Sequence, residues 1–314
     1  MEFAGPAVHE PRSVVITGAS RGLGLASATH LYKLGWRVVG AMRSPDAGLE
    51  RLRAATGAAA DDSRLIGIRL DLDDRLSIAQ AAKAIEEAIG APDVLVHNAG
   101  IAAVGSVEDM PGRIWERIFS TNLFGPVALT KALLPCMRAA GRGRIVVVSS
   151  QGGVRGMPAI SAYSASKAAL ERWAEALAEE IGPFGLGVTI LVSGTFKTDI
   201  LTEQTTDYGD YDGPYAAHYA GIRRTGGFAV RFASPPERFA RALAKILDEQ
   251  APFARHGVGI DARLLMFGAR LLGGGFLHRI IRRAMGLPSH GALRATGFSD
   301  APSDRGSFNR HGNQ

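Results

Sequence analysis

The sequence has little of what marks secreted, membrane-spanning or nucleic-acid-binding proteins. Its 314 residues include one cysteine, Cys136, so no internal disulfide can form and nothing points to an oxidising compartment. No window approaches the roughly 18 uninterrupted apolar residues that span a bilayer. Residues 1–12 hold Glu2, Pro6 and Glu10 in place of the apolar stretch of a signal peptide. We therefore expect a soluble cytoplasmic protein that begins with an N-terminal extension, 1–12.

The chain also lacks a basic segment interleaved with aromatic residues, which is the usual sign of a nucleic-acid-binding surface. Its formal net charge is +6. From residue 251 onward nine Arg oppose three Asp, so residues 1–250 carry no net charge and the whole excess is C-terminal. We expect no nucleic-acid partner and no metal site.

The first 200 residues do contain a regular alternation of short β-branched apolar runs with longer helical patterns. This alternation is typical of βαβ units, which build a parallel sheet covered by helices on both faces. It predicts an α/β chain with one Rossmann-type, doubly wound parallel sheet in a single domain, 13–262. The six predicted strands are 13–17, 37–42, 65–70, 94–97, 144–149 and 188–192, and the clearest helices are 22–34, 75–88 and 164–181.

Residues 199–235 interrupt this pattern. They are rich in Gly, Asp, Thr and Tyr and have no steady period. We predict a long loop with short helices that contacts the substrate, and the alternative is a mobile connection without function. Helical spacing resumes at 236–249, and an apolar turn at 258–260 predicts an edge strand.

A glycine cluster directly follows the first predicted strand and leads into a helix. Glycines let the chain turn sharply, bring bare backbone to a pyrophosphate and pack the helix closely on the sheet. Because a strand precedes the cluster and a helix follows it, we predict a dinucleotide site and disfavour an ordinary tight turn. The predicted binding residues here are Thr17, Gly18, Ser20, Arg21, Gly22, Leu23 and Gly24.

The end of the second strand indicates which nucleotide is bound. An acidic residue there binds the ribose hydroxyls of NAD, whereas an arginine accommodates the 2′-phosphate of NADP. This chain has Arg43, and Arg21 in the glycine loop adds a second guanidinium. The pair favours NADP(H), and the alternative is two solvated surface arginines. Asp71, after the third strand, is placed to cap a helix or to bind the adenine edge.

Tyr163 and Lys167 are four residues apart at the start of a predicted helix, and Ser150 ends the strand before it. Residues at this spacing share a helical face, so the two side chains project into one cleft. A phenol with a pKa near 10 is a poor base at neutral pH. We expect the Lys167 ammonium, together with an oxidised nicotinamide ring, to lower the pKa of Tyr163.

With these motifs the sequence resembles the short-chain dehydrogenase/reductase family over residues 13–262. The resemblance implies that Tyr163 transfers the proton, Ser150 orients the substrate oxygen, Lys167 binds the nicotinamide ribose and Asn122 holds a water. It also implies a homodimer or homotetramer formed through the helices that carry Asn122 and Tyr163. The further cofactor-binding residues that it implies are Leu72, Asn98, Ala99, Gly100, Gly194, Phe196 and Thr198.

Two positions depart from the family pattern. His97 stands where the family usually has an asparagine, and Ser193 stands where it commonly has a proline. His97 is interpreted as a packing residue, with proton carrier as the alternative. Loss of the proline is expected to loosen the turn at Gly194.

Residues 263–287 form two amphipathic basic helices separated by Gly273, Gly274 and Gly275. The pattern leaves three interpretations open: contact with an anionic membrane surface, closure over a lipophilic substrate cleft, and cover for the domain or an oligomer interface. Residues 288–314 are polar and glycine-rich, and we expect a disordered tail.

Together these features predict an NADP(H)-dependent ketoreductase or alcohol dehydrogenase that acts on a lipophilic alcohol or carbonyl compound. The competing hypothesis is a regulator or scaffold that senses NADP(H) with the same fold and does not turn it over.

Overall fold

The structure is a computed structural model that describes residues 11–198, 205–249 and 251–293. Seven of the described strands, rich in buried β-branched residues, form one parallel sheet. The sheet order is β3-β2-β1-β4-β6-β7-β9, and β5 pairs with β8 in a separate two-stranded ribbon. In chain order the described strands are β1 (Ser13–Thr17), β2 (Arg37–Met42), β3 (Leu65–Arg69), β4 (Val94–His97), β5 (Ala103–Val104), β6 (Gly143–Ser150), β7 (Leu186–Ser193), β8 (Thr206–Asp207) and β9 (Phe253–Val258).

Helices connect the strands and cover both faces of the sheet. Alternate residues of one strand enter different cores: Val15 belongs to the core on one face of the sheet, whereas Val14 and Ile16 belong to the core on the other. The α-helices of the described chain are α1 (Gly22–Lys33), α2 (Pro45–Thr56), α3 (Arg75–Ile89), α4 (Gly112–Phe119), α5 (Gly125–Ala140), α6 (Gln151–Val154), α7 (Ser161–Ile181), α8 (Ala216–Arg231), α9 (Pro236–Leu247), α10 (Ile260–Leu271) and α11 (Gly274–Ala284). The predicted doubly wound architecture is confirmed.

The edge strand differs from its prediction. The apolar turn at 258–260 suggested a strand there, but β9 occupies Phe253–Val258 and α10 already begins at Ile260. The sequence of β9, FARHGV, has no apolar run because an edge strand is only half covered. The predicted boundary at residue 262 therefore falls inside α10.

The segment after β7 also differs from its prediction. Instead of short helices, it contains the 16-residue helix α8. Tyrosines tie this segment to the loop after β5: Tyr215 donates to Glu108 Oε1 at 2.6 Å, and the buried Tyr219 donates to Asp109 and accepts from Ser106 N at 2.6 Å. The segment is therefore fastened to the sheet's carboxyl edge.

The C-terminal helices follow the predicted pattern with one shift, since Gly274 and Gly275 open α11 instead of separating it from α10. No helix among the described residues has the length and apolarity needed to cross a bilayer. The predicted extension at 1–12 and tail at 288–314 lie almost wholly outside the described residues, apart from 11–12 and 288–293.

His97, at the end of β4, is a packing residue. It is buried, it shares a hydrogen bond of 2.7 Å with Thr130 Oγ1, and its ring meets the edge of Trp173. Burial, helped by the charge of Lys167, lowers the pKa of His97 to about 3. The imidazole is therefore neutral at physiological pH.

This burial makes His97 a source of acid sensitivity. Its folded pKa is below its unfolded value near 6.5, so its contribution to stability is complete above that pH and declines as pH falls toward 3. Asparagine does not titrate in this range. Between pH 7 and pH 5 we therefore expect the unfolding free energy of His97→Asn to fall by about 2 kcal/mol less than that of the wild type. Urea unfolding at both pH values measures this difference. His290→Asn is the control: His290 is exposed, so the unfolding free energy of this variant should fall as much as that of the wild type. An equally large fall in His97→Asn would contradict the assignment of His97 as a source of acid sensitivity.

Candidate active site

A cleft of about 740 Å³ opens at the carboxyl edge of the sheet, where β1, β2, β4, β6 and β7 end. Parallel strands bring all these ends to one edge, which is where doubly wound sheets bind their ligands. With two exceptions, every predicted site residue lines this cleft. The exceptions are Gly24 and Asn122, which support it from behind.

The glycine loop between β1 and α1 forms one wall. Gly18 and Gly22 have positive φ angles of 70° and 53°, conformations that other residues rarely adopt. A Cβ on Gly24 would lie 2.3 Å from the carbonyl oxygen of Gly18, so only glycine permits this close packing of helix on loop. The result is a cradle of bare backbone at the N-terminus of α1, which fits the pyrophosphate of a dinucleotide.

Side chains of β1 and β4 hold the loop in place. Thr17 Oγ1 accepts hydrogen bonds from the backbone N–H groups of Asn98 and Ala99, both at 3.0 Å. Asn98 Nδ2 in return donates to the carbonyl oxygen of Thr17 at 2.9 Å. Thr17 and Asn98 thus shape the cleft by joining two strand ends.

Two guanidinium groups line the cleft, one from the glycine loop and one at the end next to β2. Arg21 and Arg43 are both exposed and both line it, together with Ser20. Asp71 also lines the cleft but does not cap α3, because Asp74 does so by accepting from Leu76 N at 2.9 Å. Of the two roles predicted for Asp71, capping of that helix is therefore wrong.

Tyr163 and Ser150 meet at the opposite end. Ser150 ends β6, and its Oγ accepts from Gly152 N at 3.2 Å, which fixes the hydroxyl. Burial raises the pKa of the Tyr163 phenol above its usual value, and a hydrogen bond with Ser150 opposes the shift. Gly152 has no side chain and therefore leaves room for the Tyr163 ring. The phenol is protonated at neutral pH.

Lys167 lies one helical turn after Tyr163 and is only 4% exposed. Its Nζ donates to the carbonyl oxygen of Val148 at 2.8 Å and lies 5.8 Å from the centroid of the Tyr163 ring. Burial lowers the pKa of Lys167 to about 8. In the protein alone, the ammonium bonds to β6 and burial dominates the pKa of Tyr163. The expected lowering of that pKa by Lys167 together with an oxidised nicotinamide ring stays a prediction.

Asn122 lies in a π-helical turn, Ser120–Phe124, between α4 and α5. Its Oδ1 accepts from Ile101 N at 2.9 Å, and its Nδ2 donates to Ile101 O at 2.9 Å and to Ser166 Oγ at 3.0 Å. A Cβ on Gly100 would lie 3.3 Å from Asn122 Oδ1 and 3.4 Å from Lys167 Nζ. Asn122 thus joins the loop after β4 to α7 beside the lysine.

A charged network behind Lys167 was not predicted from the sequence. Glu171 is 1% exposed, and its carboxylate accepts from Ser149 Oγ at 2.6 Å and from Arg255 Nη2 at 2.6 Å. Its negative charge raises the pKa of Lys167, against the effect of burial. Glu171 follows Lys167 by four residues, so helical spacing was the available signal.

A second network fixes the loop after β7, where Gly194, Phe196 and Thr198 line the cleft. Ser193 Oγ donates to Ser149 O at 2.9 Å, so a hydrogen bond stands where a proline was expected. Asp261 Oδ2, from α10, accepts from Thr195 N and Gln151 Nε2, both at 2.6 Å. The loosening that was expected from the loss of proline is therefore opposed by these three hydrogen bonds.

The rest of the cleft is mainly apolar. Thr206, Tyr208 and Ile222 come from the segment between β7 and α9, so this segment does contribute to the cleft. Met285 reaches it from the turn after α11. Further apolar lining comes from Ile101, Ile114, Met157, Pro158 and Ile160.

Comparison with known proteins identifies relatives of this arrangement. A family model described as short chain dehydrogenase matches residues 12–209. The oxidoreductase BOA17 of Botryotinia fuckeliana is 35% identical over 250 residues, which cover 79% of this chain and 88% of that protein. The 3-ketodihydrosphingosine reductase of Bacteroides thetaiotaomicron is 33% identical over 255 residues, which cover 80% of this chain and 88% of that protein.

Solved structures of short-chain dehydrogenases and reductases also resemble this chain. A short-chain dehydrogenase from Streptomyces avermitilis has a TM-score of 0.75 and 34% identity, and the match covers 90% of this chain and 100% of the other. A metagenomic short-chain oxidoreductase in complex with NADP has a TM-score of 0.61 at 26% identity, covering 79% and 98%. A 3-ketoacyl-(acyl-carrier-protein) reductase from Brucella melitensis complexed with NADH has a TM-score of 0.65 at 25% identity, covering 80% and 98%.

The buried network makes Glu171 the group that keeps Lys167 charged. We expect Glu171→Gln to lower the pKa of Lys167 from about 8 by about one unit, because the neighbouring Arg255 guanidinium then loses its counter-charge. NMR titration of protein with ¹³Cε-labelled lysine measures this pKa, and the Lys167→Arg variant assigns the signal.

The matched control is Glu175→Gln in the same helix. Glu175 pairs with Arg172 at 2.6 Å and is more exposed than Glu171, so its loss should leave the Lys167 titration unchanged. An unchanged titration in Glu171→Gln itself would show that the network does not set the charge of Lys167.

Proposed function

Because the chain belongs to the short-chain dehydrogenase/reductase family, whose members are oxidoreductases, we propose that it is an NADP(H)-dependent ketoreductase or alcohol dehydrogenase. One observation carries the proposal: the phenol of Tyr163, the hydroxyl of Ser150 and the ammonium of Lys167 converge on the cleft that holds the glycine loop. A nicotinamide nucleotide bound on that loop supplies or accepts the hydride.

In this proposal Tyr163 is the acid and base. Burial keeps its phenol protonated, so it donates its proton to the oxygen of a carbonyl substrate and recovers it in the reverse direction. Ser150, fixed by Gly152 N, orients that oxygen. Lys167 binds the nicotinamide ribose, and Asn122 positions the loop after β4 against α7. The water predicted on Asn122 stays a prediction.

Charge at the adenosine end supports NADP(H) over NAD(H). Arg43 follows β2 at the place where an acidic residue would bind free ribose hydroxyls, and Arg21, in the glycine loop, lines the same cleft. The planar guanidinium matches the 2′-phosphate. Asp71 and Leu72 line the same cleft, and in this proposal they would contact the adenine.

The apolar lining supports a lipophilic alcohol or carbonyl substrate. Met157, Ile160, Ile222 and Met285 present hydrocarbon to the cleft, and burial of a matching chain is favourable by about 25 cal/mol per Å². We place this activity in residues 13–262, with 263–287 as an appended helical pair. We also propose a homodimer or homotetramer through α7 and the helices next to Asn122.

The role of Tyr163 is tested by Tyr163→Phe. This variant should bind NADPH as the wild type does and lose roughly 10³-fold in turnover, because the ring remains while the proton donor is removed. Fluorescence titration measures binding, and NADPH absorbance with a panel of ketones and aldehydes measures turnover. Tyr211→Phe is the control, since Tyr211 donates to Asp207 away from the cleft. Wild-type turnover in Tyr163→Phe would refute the role of Tyr163. Absence of turnover with every substrate in the wild type would favour the NADP(H)-sensing alternative.

The cofactor preference is tested by Arg43→Asp. We expect its KM for NADPH to rise roughly 10–100-fold more than its KM for NADH, because a carboxylate repels the 2′-phosphate and accepts from free ribose hydroxyls. Arg51→Asp changes the net charge equally from an exposed position on α2 and should affect neither constant. Equal losses for the two nucleotides in Arg43→Asp would mean that Arg43 does not recognise the phosphate.

A further inference from the structure

Helix α10 carries an apolar stripe that faces away from the protein. Ala262 is fully buried and Met266 packs against the core, so these residues define the inner side of the helix. Residues spaced by four, three and four lie on the opposite side and share one face. This outer stripe consists of residues that are 74%, 65%, 64% and 63% exposed: Ile260, Leu264, Phe267 and Leu271.

Helix α11 extends the same surface. Leu277 approaches Gly268 of α10, and Phe276 and Ile280 are half exposed. The two helices therefore present six large apolar side chains to solvent, which is unusual for a protein surface without a partner.

The charge around the outer stripe is of one sign. Residues 251–293 contain six Arg, no Lys, no Glu and a single Asp, Asp261. That carboxylate is already bonded to Thr195 N and Gln151 Nε2. On the helices, Arg263 and Arg270 lie along one flank of α10, and Arg279 and Arg283 are exposed on α11.

An open groove adjoins the stripe on the side of α7. Phe267, Met266 and Val154 form its apolar lining, and Arg172, Arg255 and Arg270 line it as well. Glu175 and Glu171 pair with Arg172 and Arg255, whereas Arg270 adds a positive charge at this edge that has no ion pair within the described part of the chain.

The exposed apolar stripe and the arginines around it fit a bilayer surface better than they fit a second copy of the chain. A two-fold interface pairs the same patch on both partners, so it would bring the arginines of the two copies together. The one acidic residue of this segment, Asp261, is already bonded to Thr195 N and Gln151 Nε2. An anionic lipid surface instead attracts the arginines and accepts the apolar stripe among its acyl chains. We propose that the outer stripe of α10, with Phe276 and Ile280 of α11, docks on the surface of an anionic membrane.

The docking is tested with the full chain and vesicles of phosphatidylcholine, with or without phosphatidylglycerol. We expect at least about tenfold more protein to float with the anionic vesicles at low salt, and this excess to fall at high salt. The double variant Leu264→Asp/Phe267→Asp should lose the binding, and Arg263→Glu/Arg270→Glu should lose the preference for anionic lipid. Leu34→Asp, which alters a 56%-exposed leucine elsewhere, should float as the wild type does.

Circular dichroism and thermal unfolding establish that each variant is folded, and light scattering gives its oligomeric state. No flotation of the wild type at low salt would overturn the proposal, as would equal flotation of the wild type and Leu264→Asp/Phe267→Asp. Dissociation of an oligomer by that double variant, without vesicle binding by the wild type, would assign the stripe to a second copy instead. None of these outcomes depends on turnover.

Discussion

The candidate site depends on one constraint, which is that the Lys167 ammonium must stay charged inside the protein. A buried cation is costly unless partners compensate it. The carbonyl of Val148 and the charge of Glu171 provide this compensation, and Glu171 is itself held by Ser149 and Arg255. Because these groups come from β6, α7 and β9, the requirement of one side chain connects the centre of the sheet to its edge.

The parts of the fold that are predictable from sequence are those that burial alone determines. Strands β1, β2 and β4 occupy the predicted residues because both faces of a central parallel strand are covered, which requires an uninterrupted apolar run. The edge strand β9 carries Arg255 and His256, and such a strand has no comparable pattern. Helix α8 escaped prediction because its three glycines obscure the helical period, and because tertiary contacts such as that of Tyr219 with Asp109 set its position.

The candidate site also contains residues that can be predicted from the sequence and residues that cannot. The glycine loop and the pair Tyr163 and Lys167 are local in sequence, so spacing predicts which side chains share the cleft. The partners that hold the surrounding groups are distant in sequence: Arg255 follows Glu171 by 84 residues, and Asp261 follows Thr195 by 66. Local spacing cannot reveal these pairs, and the direction of the Tyr163 pKa shift also required the burial of the phenol to be known.

Asp261 connects the cleft to the helix that carries the outer stripe. Its carboxylate bonds to Thr195 N and Gln151 Nε2 beside the cleft, and it is the second residue of the helix that carries the outer stripe. A Cβ on Gly194 would lie 2.0 Å from Asp261 Oδ1, so glycine at this position lets the helix terminus approach the loop. The first turn of α10 is therefore joined by hydrogen bonds to the cleft wall, through the loop that carries Phe196 and Thr198.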